Sequence, residues 1–351
     1  GVPVTNEPEF DPGIELVERK KATGRPGLVT GVGYDINRGT TAPTTTYEFD
    51  LDHTLVVLPL WSIFQQGTSQ STSTYTFQIP GLTAGVDLDA DLFLQAYHHR
   101  GASVFASAAR DTDLVLTDAV GTGLVITGNE NEPLHMALTM TGRNLEEAGD
   151  IANFTEANVV LNMPEQNPYM WYQFYATIQD RSAGTNGDHY VVSTTGFQLN
   201  ITPKVVLRRY NSKYPIKCIY TDYDISGSLR IPWNTATVGR NYFLENLLEN
   251  ATQTQMHLEP TAINVFACFA SDTDVTGLSP GSAIDHSETT VDIGDYLNPV
   301  SGSLIAATDK DLSISLGATV RKPREESEDE VMLNLDFTGT THVSSNAVVQ
   351  N

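Results

Sequence analysis

At 351 residues, the chain is long enough for two ordinary domains, each able to bury a sizeable core. Its 43 Asp and Glu against 20 Lys and Arg give a formal net charge of −23. This charge disfavours a nucleic-acid-binding protein, because such proteins present basic contact surfaces. No apolar run reaches the roughly 18 residues that span a membrane, so we expect no membrane partner. The acid-rich, lysine-poor balance is also typical of proteins from very salty cytoplasms, where ions screen the repulsion.

The first predicted element is an extended arm over residues 1–12, which carry three prolines and little apolar periodicity. Two strand-like runs follow at 14–19 and 28–36, and two comparable runs occur at 204–210 and 216–225. Each pair brackets a short, Pro-containing segment. We therefore predict two β-hairpins with exposed tips.

A segment with helical periodicity follows each predicted hairpin. Residues 51–67 carry apolar side chains between Leu60 and Phe64, and Pro59 is expected either to kink this helix or to start its regular part. Residues 237–250 place four apolar side chains on one helical face. Each helix is expected to cover one face of a sheet.

Strands dominate the remainder of the chain. Residues 133–143 and 331–337 alternate apolar and polar side chains, which predicts a half-buried strand near the end of each half. The segment 144–203 contains an aromatic strand candidate at 169–178 and another run near 189–201. We expect it to add strands rather than to form a loose linker.

Similar segments occur in the same order in the two halves of the sequence, which predicts one structural unit present twice. In the first pair, Tyr34-Asp35-Ile36 matches Tyr223-Asp224-Ile225 at an offset of 189 residues, 223 minus 34. The three pairs of segments are 16–36 with 205–225, 103–114 with 264–275, and 133–143 with 330–340.

Motifs for catalysis and cofactor binding are missing from the sequence. It lacks the G-x-S-x-G, P-loop, H-E-x-x-H and dinucleotide-binding patterns. The string Asp87-x-Asp89-x-Asp91 starts like a calcium loop, but Leu92 stands where that loop requires glycine. Cys218 and Cys268 have no metal-site spacing and are predicted to be buried thiols. We therefore predict no enzymatic activity, no cofactor and no metal site.

Basic residues are concentrated on the two predicted hairpins, which hold eight of the 20 in the chain. These charges could simply keep the tips soluble. Alternatively, both tips dock onto acidic surfaces of neighbouring copies and fix the register of an assembly. Contacts to DNA phosphates are a third, less favoured, interpretation. The eight candidate contact residues are Arg19, Lys20, Lys21, Arg25, Arg208, Arg209, Lys213 and Lys217.

The order of hairpin, helix and final strand, together with two short motifs, resembles the tail tube proteins of long-tailed phages and archaeal tailed viruses. The motifs are DYDISGSLRIP at 222–232 and the closing Phe337-Thr338-Gly339, which Met140-Thr141-Gly142 echoes in the first half. The first half departs from the first motif at Asn37-Arg38-Gly39.

This resemblance implies an α+β, mainly β fold of two tandem antiparallel β-barrel or sandwich domains, each with one flanking helix. It implies a structural protein of the virion tail, made in the host cytoplasm, whose partners are copies of itself and other tail proteins. Six tube domains form a ring in that family. A chain with two domains is therefore expected to form trimeric rings with pseudo-sixfold symmetry. Stacked rings would enclose a channel through which viral DNA passes without specific binding, repelled by acidic walls.

The sequence and the resemblance together predict five parts of the chain. They are an extended arm at 1–12, a first tube-like domain at 13–143, a joining segment at 144–203, a second tube-like domain at 204–340, and a C-terminal tail at 341–351.

Two other classes of function compete with the structural one. A tandem β-sandwich binding module, such as a capsid decoration or host-adhesion protein, would use Tyr169, Trp171 and Tyr172 as an exposed ligand face. An acidic halophilic hydrolase would need catalytic motifs that the sequence lacks.

Overall fold

A computed structural model places a large part of the chain, and the description below is confined to that part. The described residues are 16–20, 34–38, 42–52, 56–64, 68–71, 74–77, 86–87, 94–98, 114–147, 168–180, 189–192, 194–232, 261–270, 283–284, 305–307, 311–320, 324–327 and 331–342.

Most of the described residues lie in β-strands, which are numbered here in chain order. The strands are β1 (Leu16–Lys20), β2 (Tyr34–Arg38), β3 (Thr44–Asp50), β4 (Thr68–Ser71), β5 (Thr74–Phe77), β6 (Val86–Asp87), β7 (Leu94–His98), β8 (Leu114–Asn129), β9 (His135–Thr141), β10 (Asn144–Glu147), β11 (Phe174–Asp180), β12 (His189–Val192), β13 (Gly196–Arg208), β14 (Lys217–Pro232), β15 (Thr261–Ala270), β16 (Ala283–Ile284), β17 (Ile305–Ala307), β18 (Asp311–Val320), β19 (Arg324–Ser327) and β20 (Val331–His342).

Within the described ranges there is one α-helix, α1 (Val57–Phe64). Pro59 lies in its first turn, where a missing N–H costs nothing, so the helix begins where the sequence predicts its regular part. Leu60 and Phe64 are fully buried on the side that faces the sheet. The second predicted helix, at 237–250, lies outside the described residues. None of the described helical residues forms a span long and apolar enough to cross a membrane.

All strand pairs in the described residues are antiparallel, so the prediction of a mainly β, antiparallel fold with a helix is confirmed. The hairpin β1–β2 forms a two-stranded sheet of its own, and the other strands belong to one hydrogen-bonded network. Its middle is a strip of seven strands in the order β3, β9, β8, β13, β14, β20 and β19. The division of the whole set of strands into two separate barrel or sandwich domains remains a prediction.

The two halves of the chain meet edge to edge inside this strip. Strand β13 pairs with β8 from Gly196↔Asn129 to Ile201↔Leu124, and the same stretch of β13 pairs on its other side with β14. Strand β8 changes neighbours along its length, because its first part pairs with β7 and β10 instead. Asp118, at φ 48°, marks this change of course. The sheet is therefore continuous across the predicted joining segment.

A pairing register recurs on the two sides of this junction. Strands β9 and β20 contain the third pair of similar segments and are offset by 197 residues, 338 minus 141. Strand β9 lies between β3 and β8, and β20 lies between β14 and β18–β19. Paired residues of β3 and β14 are offset by 182 residues, and those of β8 and β18–β19 by 199, at both ends of the paired stretch. At one end, Thr141 pairs with Thr44 and Val120, and the corresponding Thr338 pairs with Ser226 and Thr319. At the other end, His135 pairs with Asp50 and Thr127, and the corresponding Met332 pairs with Pro232 and Glu326.

One of the other two sequence similarities does not translate into equal pairing. In the first hairpin Arg19 lies opposite Asp35, whereas Arg208 lies opposite Lys217, so the two hairpins differ in register. The cause is the length of the connection, residues 21–33 in one and 209–216 in the other. On β8, β7 takes the position that β15 holds on β18. The predicted match between 103–114 and 264–275 lies largely outside the described residues.

In the described part of the chain, a large apolar core lies beneath the strip and under α1, beside a small cluster of Val120, Cys218 and Tyr220. The alternation predicted for residues 133–143 is confirmed, since the four apolar side chains at even positions are buried. On β20, Leu335 and Phe337 are buried as predicted. The core side chains shared between the two halves include Phe49, Leu60, Phe64, Leu124, Met136, Tyr169, Phe197, Leu199, Ile225, Leu229 and Phe337.

Candidate functional site

The strongest candidate for a contact surface is the end of the β13–β14 hairpin, residues 208–217, called the hairpin tip below. Its turn is closed by backbone hydrogen bonds from Ser212 N to Arg209 O at 2.8 Å and from Ile216 N to Arg208 O at 2.9 Å. Tyr210 (φ 40°) and Asn211 (φ 71°) are both left-handed. This conformation suits asparagine but is uncommon for tyrosine. A tyrosine side chain that is 65% exposed thus stands at the apex of the turn.

The hairpin tip carries four cations and no acidic residue, since none occurs between Val205 and Thr221. Arg208 and Lys213 are exposed, and Lys213 Nζ lies 5.3 Å from the centroid of the Tyr214 ring. Arg209 is half-buried, and its buried Nε has no hydrogen-bond partner in the described part of the chain. In a chain of net charge −23, the tip is a compact positive surface.

An ion-pair cluster on the exposed face separates the tip from the rest of the hairpin. Lys204 Nζ lies 3.0 Å from Asp222 Oδ2 and 3.0 Å from Asp224 Oδ1. The hydrogen bond to Asp222, followed by that to Asp224, raises the pKa of Lys204. The hydrogen bond from Lys204, helped by the Tyr223 N–H, lowers the pKa of Asp222. The two carboxylates are thus engaged with Lys204, on their own part of the hairpin.

The buried face of the hairpin holds the last turn of α1. Tyr223 donates its hydroxyl to Ile63 O at 3.0 Å, and Tyr220 donates to Gly121 O at 3.2 Å and towards Ser62 O at 3.5 Å. The last carbonyls of a helix have no partner inside it, so these hydroxyls satisfy groups that would otherwise be buried unpaired. The Tyr223 ring also stacks on Phe64, with centroids 5.9 Å apart. Burial raises the pKa of the Tyr223 hydroxyl, with a smaller contribution from Cys218.

Two small residues complete this contact between the halves. A β-carbon at Gly121 would lie 2.8 Å from Ile63 Cδ1, so only glycine lets α1 approach β8 so closely. Cys218 is fully buried, as predicted for it, and burial raises the pKa of its thiol to about 12. Cys268 lies on β15, where its side chain is not described.

The structure brings four of the eight predicted contact residues together, namely Arg208, Arg209, Lys213 and Lys217. Arg19 and Lys20 lie on β1 in the separate two-stranded sheet, and the predictions for Lys21 and Arg25 lie outside the described residues. Sequence analysis missed Tyr210 as a member of this surface. The available signal was its place beside Asn211, in a turn flanked by cations.

The proposed aromatic ligand face is wrong for two of its three members. Tyr169 is only 1% exposed, because its backbone bonds to both Leu51 and Leu134 draw it into the core. Trp171 packs against the core with its ring 4.9 Å from that of Phe174. Tyr172 alone is exposed, at 64%. A single ring does not form a face, so the binding-module hypothesis loses the residues on which it was based.

Carboxylates and histidines do not assemble into a metal site in the described part of the chain. No group of three or more metal-ligating side chains occurs there. Asp87 pairs, on β6, with Lys217 of β14, while Asp89 and Asp91 of the calcium-like string lie outside the described residues. His135 lies between Glu48 at 3.8 Å and Asp50 at 3.6 Å, with a different ring nitrogen towards each.

No protein-family model matches the sequence, and a comparison with curated proteins finds no significant similarity. The function is therefore argued from the geometry and the charges described above.

Proposed function

We propose that this chain is the structural subunit of a viral tail tube, which associates with copies of itself into stacked rings around a channel for viral DNA. The observation that carries the proposal is the recurrent register. Strands β3, β9 and β8 pair as β14, β20 and β18–β19 do, and the two sets lie in one sheet. One chain then supplies two similar sheet units side by side.

Two such units per chain determine the expected symmetry of the assembly. A closed ring of six units needs three chains, and its rotation axis relates neighbouring units within and between chains in nearly the same way. Each unit is proposed to be a tube-like β-barrel or sandwich domain with one flanking helix. The predicted limits of these domains, 13–143 and 204–340, belong to the same proposal.

The hairpin tip is proposed to contact the next ring. Two of its four cations, Arg208 and Lys213, are exposed in a chain of net charge −23, so the acidic surface of another copy is its electrostatic complement. Tyr210, exposed at the apex, adds an aromatic ring to that contact. The remaining acidic charge would repel DNA phosphates and let the genome pass without sticking.

Negative-stain electron microscopy of the purified chain, at low salt and in molar salt, tests this proposal. We expect rings or stacked tubes with a central hole and six lobes per ring. A chain that stays monomeric at micromolar concentration in both salts contradicts the proposal.

The contribution of the tip is tested with the double variant Arg208→Ser, Lys213→Ser. We expect single rings in place of stacked tubes, because both exposed cations of the tip are removed. Lys204→Ser is the matched control on the same hairpin, since Lys204 is occupied by Asp222 and Asp224. Tubes of wild-type length from the double variant would exclude the tip as the contact between rings.

A further inference from the structure

The edge of β19 that faces away from β20, which no described strand covers, carries a further inference. Strand β8 is covered on both sides, by β9 and, from Leu124 to Asn129, by β13. Strand β19 has the same relation to β20 that this part of β8 has to β9. In the first half, Val125 lies opposite Ala137. In the second half, Arg324 lies opposite Asn334, at the same offsets of 199 and 197 residues that relate these strands elsewhere. Among the described residues, however, β19 pairs with β20 alone.

The first strand of the strip repeats this asymmetry from the other side. Strand β3 corresponds to the second part of β14, and that part of β14 is covered by β13. In the described residues β3 pairs with β9 only. The strip therefore has a strand at its internal junction, β13, whose counterpart is not among the described strands at either end of the strip. Unpaired backbone groups at such an edge are a template for another strand.

We propose that β19 accepts an antiparallel strand from a second copy of this chain, in the position that β13 occupies on β8. The proposal deepens the proposed function, because it names the edge through which neighbouring chains join within a ring. The junction inside one chain, β8–β13, is then repeated between chains. An antiparallel strand fits the direction of β19, because β13 runs antiparallel to both of its own neighbours.

Chain order identifies the segment of the second copy that takes this position. Strand β13 leads directly into the hairpin tip, and its counterpart leads into the first hairpin, so the donor is the stretch before Leu16. Pro8 and Pro12 are four residues apart, so both lack an N–H on the same side of an extended strand. In such a strand the N–H groups of Glu7, Glu9 and Asp11 would all lie on the opposite side, which the proposal assigns to β19.

The charges give this junction a distinctive salt dependence. The donor stretch contains four acidic residues, three of them within residues 1–12, and β19 contains Glu325 and Glu326. Backbone pairing therefore has to overcome like-charge repulsion, which molar salt screens. Association through β19 should strengthen as salt increases, whereas docking of the basic hairpin tip on an acidic surface should weaken.

Paired proline substitutions in β19 test the edge. Successive residues of a strand direct their N–H groups to opposite sides, and proline has no N–H. Of the two variants Glu325→Pro and Glu326→Pro, one therefore removes a backbone hydrogen bond to β20. The other removes an N–H from the edge that faces away from β20. We expect one variant to unfold at lower urea concentration. The other should unfold like the wild type but associate about tenfold more weakly or worse, by sedimentation velocity in molar salt.

Deletion of residues 1–12 tests the donor. We expect the same loss of association in molar salt with an unchanged urea midpoint, and wild-type association would overturn the donor assignment. If the proline variant with an unchanged urea midpoint associates like the wild type, the proposal for β19 is overturned. If that variant still forms rings, the proposed tube function stands without it. Association that depends on β19 but gives open filaments without rings supports this inference and overturns the tube. A wild-type chain that stays monomeric in both salts overturns both.

Discussion

The two ends of the β13–β14 hairpin have opposite character although the same two strands form both. At the root, residues 196–201 and 225–232, the hairpin lies in the middle of the strip, and side chains such as Phe197 and Leu229 are buried in the shared core. At the tip, cations and Tyr210 are exposed. Burial thus assigns stability to the root, and the proposed function assigns association to the tip. Substitutions at the root should change the free energy of unfolding, and substitutions at the tip should change association alone.

The largest effect is expected at Gly227 in the root. A β-carbon there would overlap the Phe337 ring and lie 2.5 Å from the backbone oxygen of Gln198. Gly227→Val should lower the free energy of unfolding by about 3 kcal/mol, as overpacking against backbone does. Gly123→Ala is the control, because its β-carbon would lie an ordinary 3.5 Å from Thr139 Cβ. Equal urea midpoints for the two variants would show that the root is not tightly packed.

The next effect concerns Cys218, which marks where the buried part of β14 begins. Its pKa is raised to about 12 by burial, above the roughly 8.5 of an unfolded thiol. The unfolded state therefore loses this proton first as pH rises. Stability should be unaffected below pH ~8.5 and fall above it by up to about 1.4 kcal/mol per pH unit.

The check is urea unfolding from pH 7 to 9.5, below the pKa of about 10 at which tyrosines of the unfolded chain ionise. Cys218→Ala should remove the fall between pH 8.5 and 9.5, whatever the variant loses in absolute stability. If the slope survives in Cys218→Ala, the thiol is not its source, and the buried part of β14 begins further along the strand.

A smaller effect is expected from the tyrosine hydroxyl that holds α1. Tyr223→Phe leaves Ile63 O without its 3.0 Å hydrogen bond and should cost about 1 kcal/mol. Tyr210→Phe at the exposed tip should leave the urea midpoint unchanged. A loss of stability from Tyr210→Phe equal to that from Tyr223→Phe would break the distinction between root and tip.

The smallest effect is expected at the exposed ion-pair cluster. Lys204→Met removes both 3.0 Å contacts to aspartate, but all three groups are in solvent, where such pairs contribute little. We expect the same melting temperature as the wild type at low and at high salt. A clear drop in melting temperature at low salt would mean that the cluster supports the hairpin and belongs with the root.

Local patterns predicted the parts of the fold that depend on neighbouring residues. The alternation in 133–143 correctly placed a strand, Pro59 falls in the first turn of α1, and the strand-like runs at 204–210 and 216–225 correctly placed the second hairpin. The contacts between the halves were not predictable in this way. Pairing of β13 with β8 joins segments about 70 residues apart. Alternation of apolar side chains shows which face of a strand is buried, but it does not show which strand lies beside it. The burial of Tyr169 follows from backbone bonds to two distant segments, which an aromatic-rich string does not indicate.

The hydroxyls of Tyr220 and Tyr223 have a consequence for the order in which the protein forms. They reach carbonyls of α1 across sequence separations of 158 and 160 residues. During synthesis the helix therefore leaves the ribosome long before the side chains that complete its last turn. At about 5–20 residues per second, it waits roughly 10–30 s for them. Contacts so distant in sequence also favour slow folding, and an N-terminal fragment ending at residue 143 would lack them permanently.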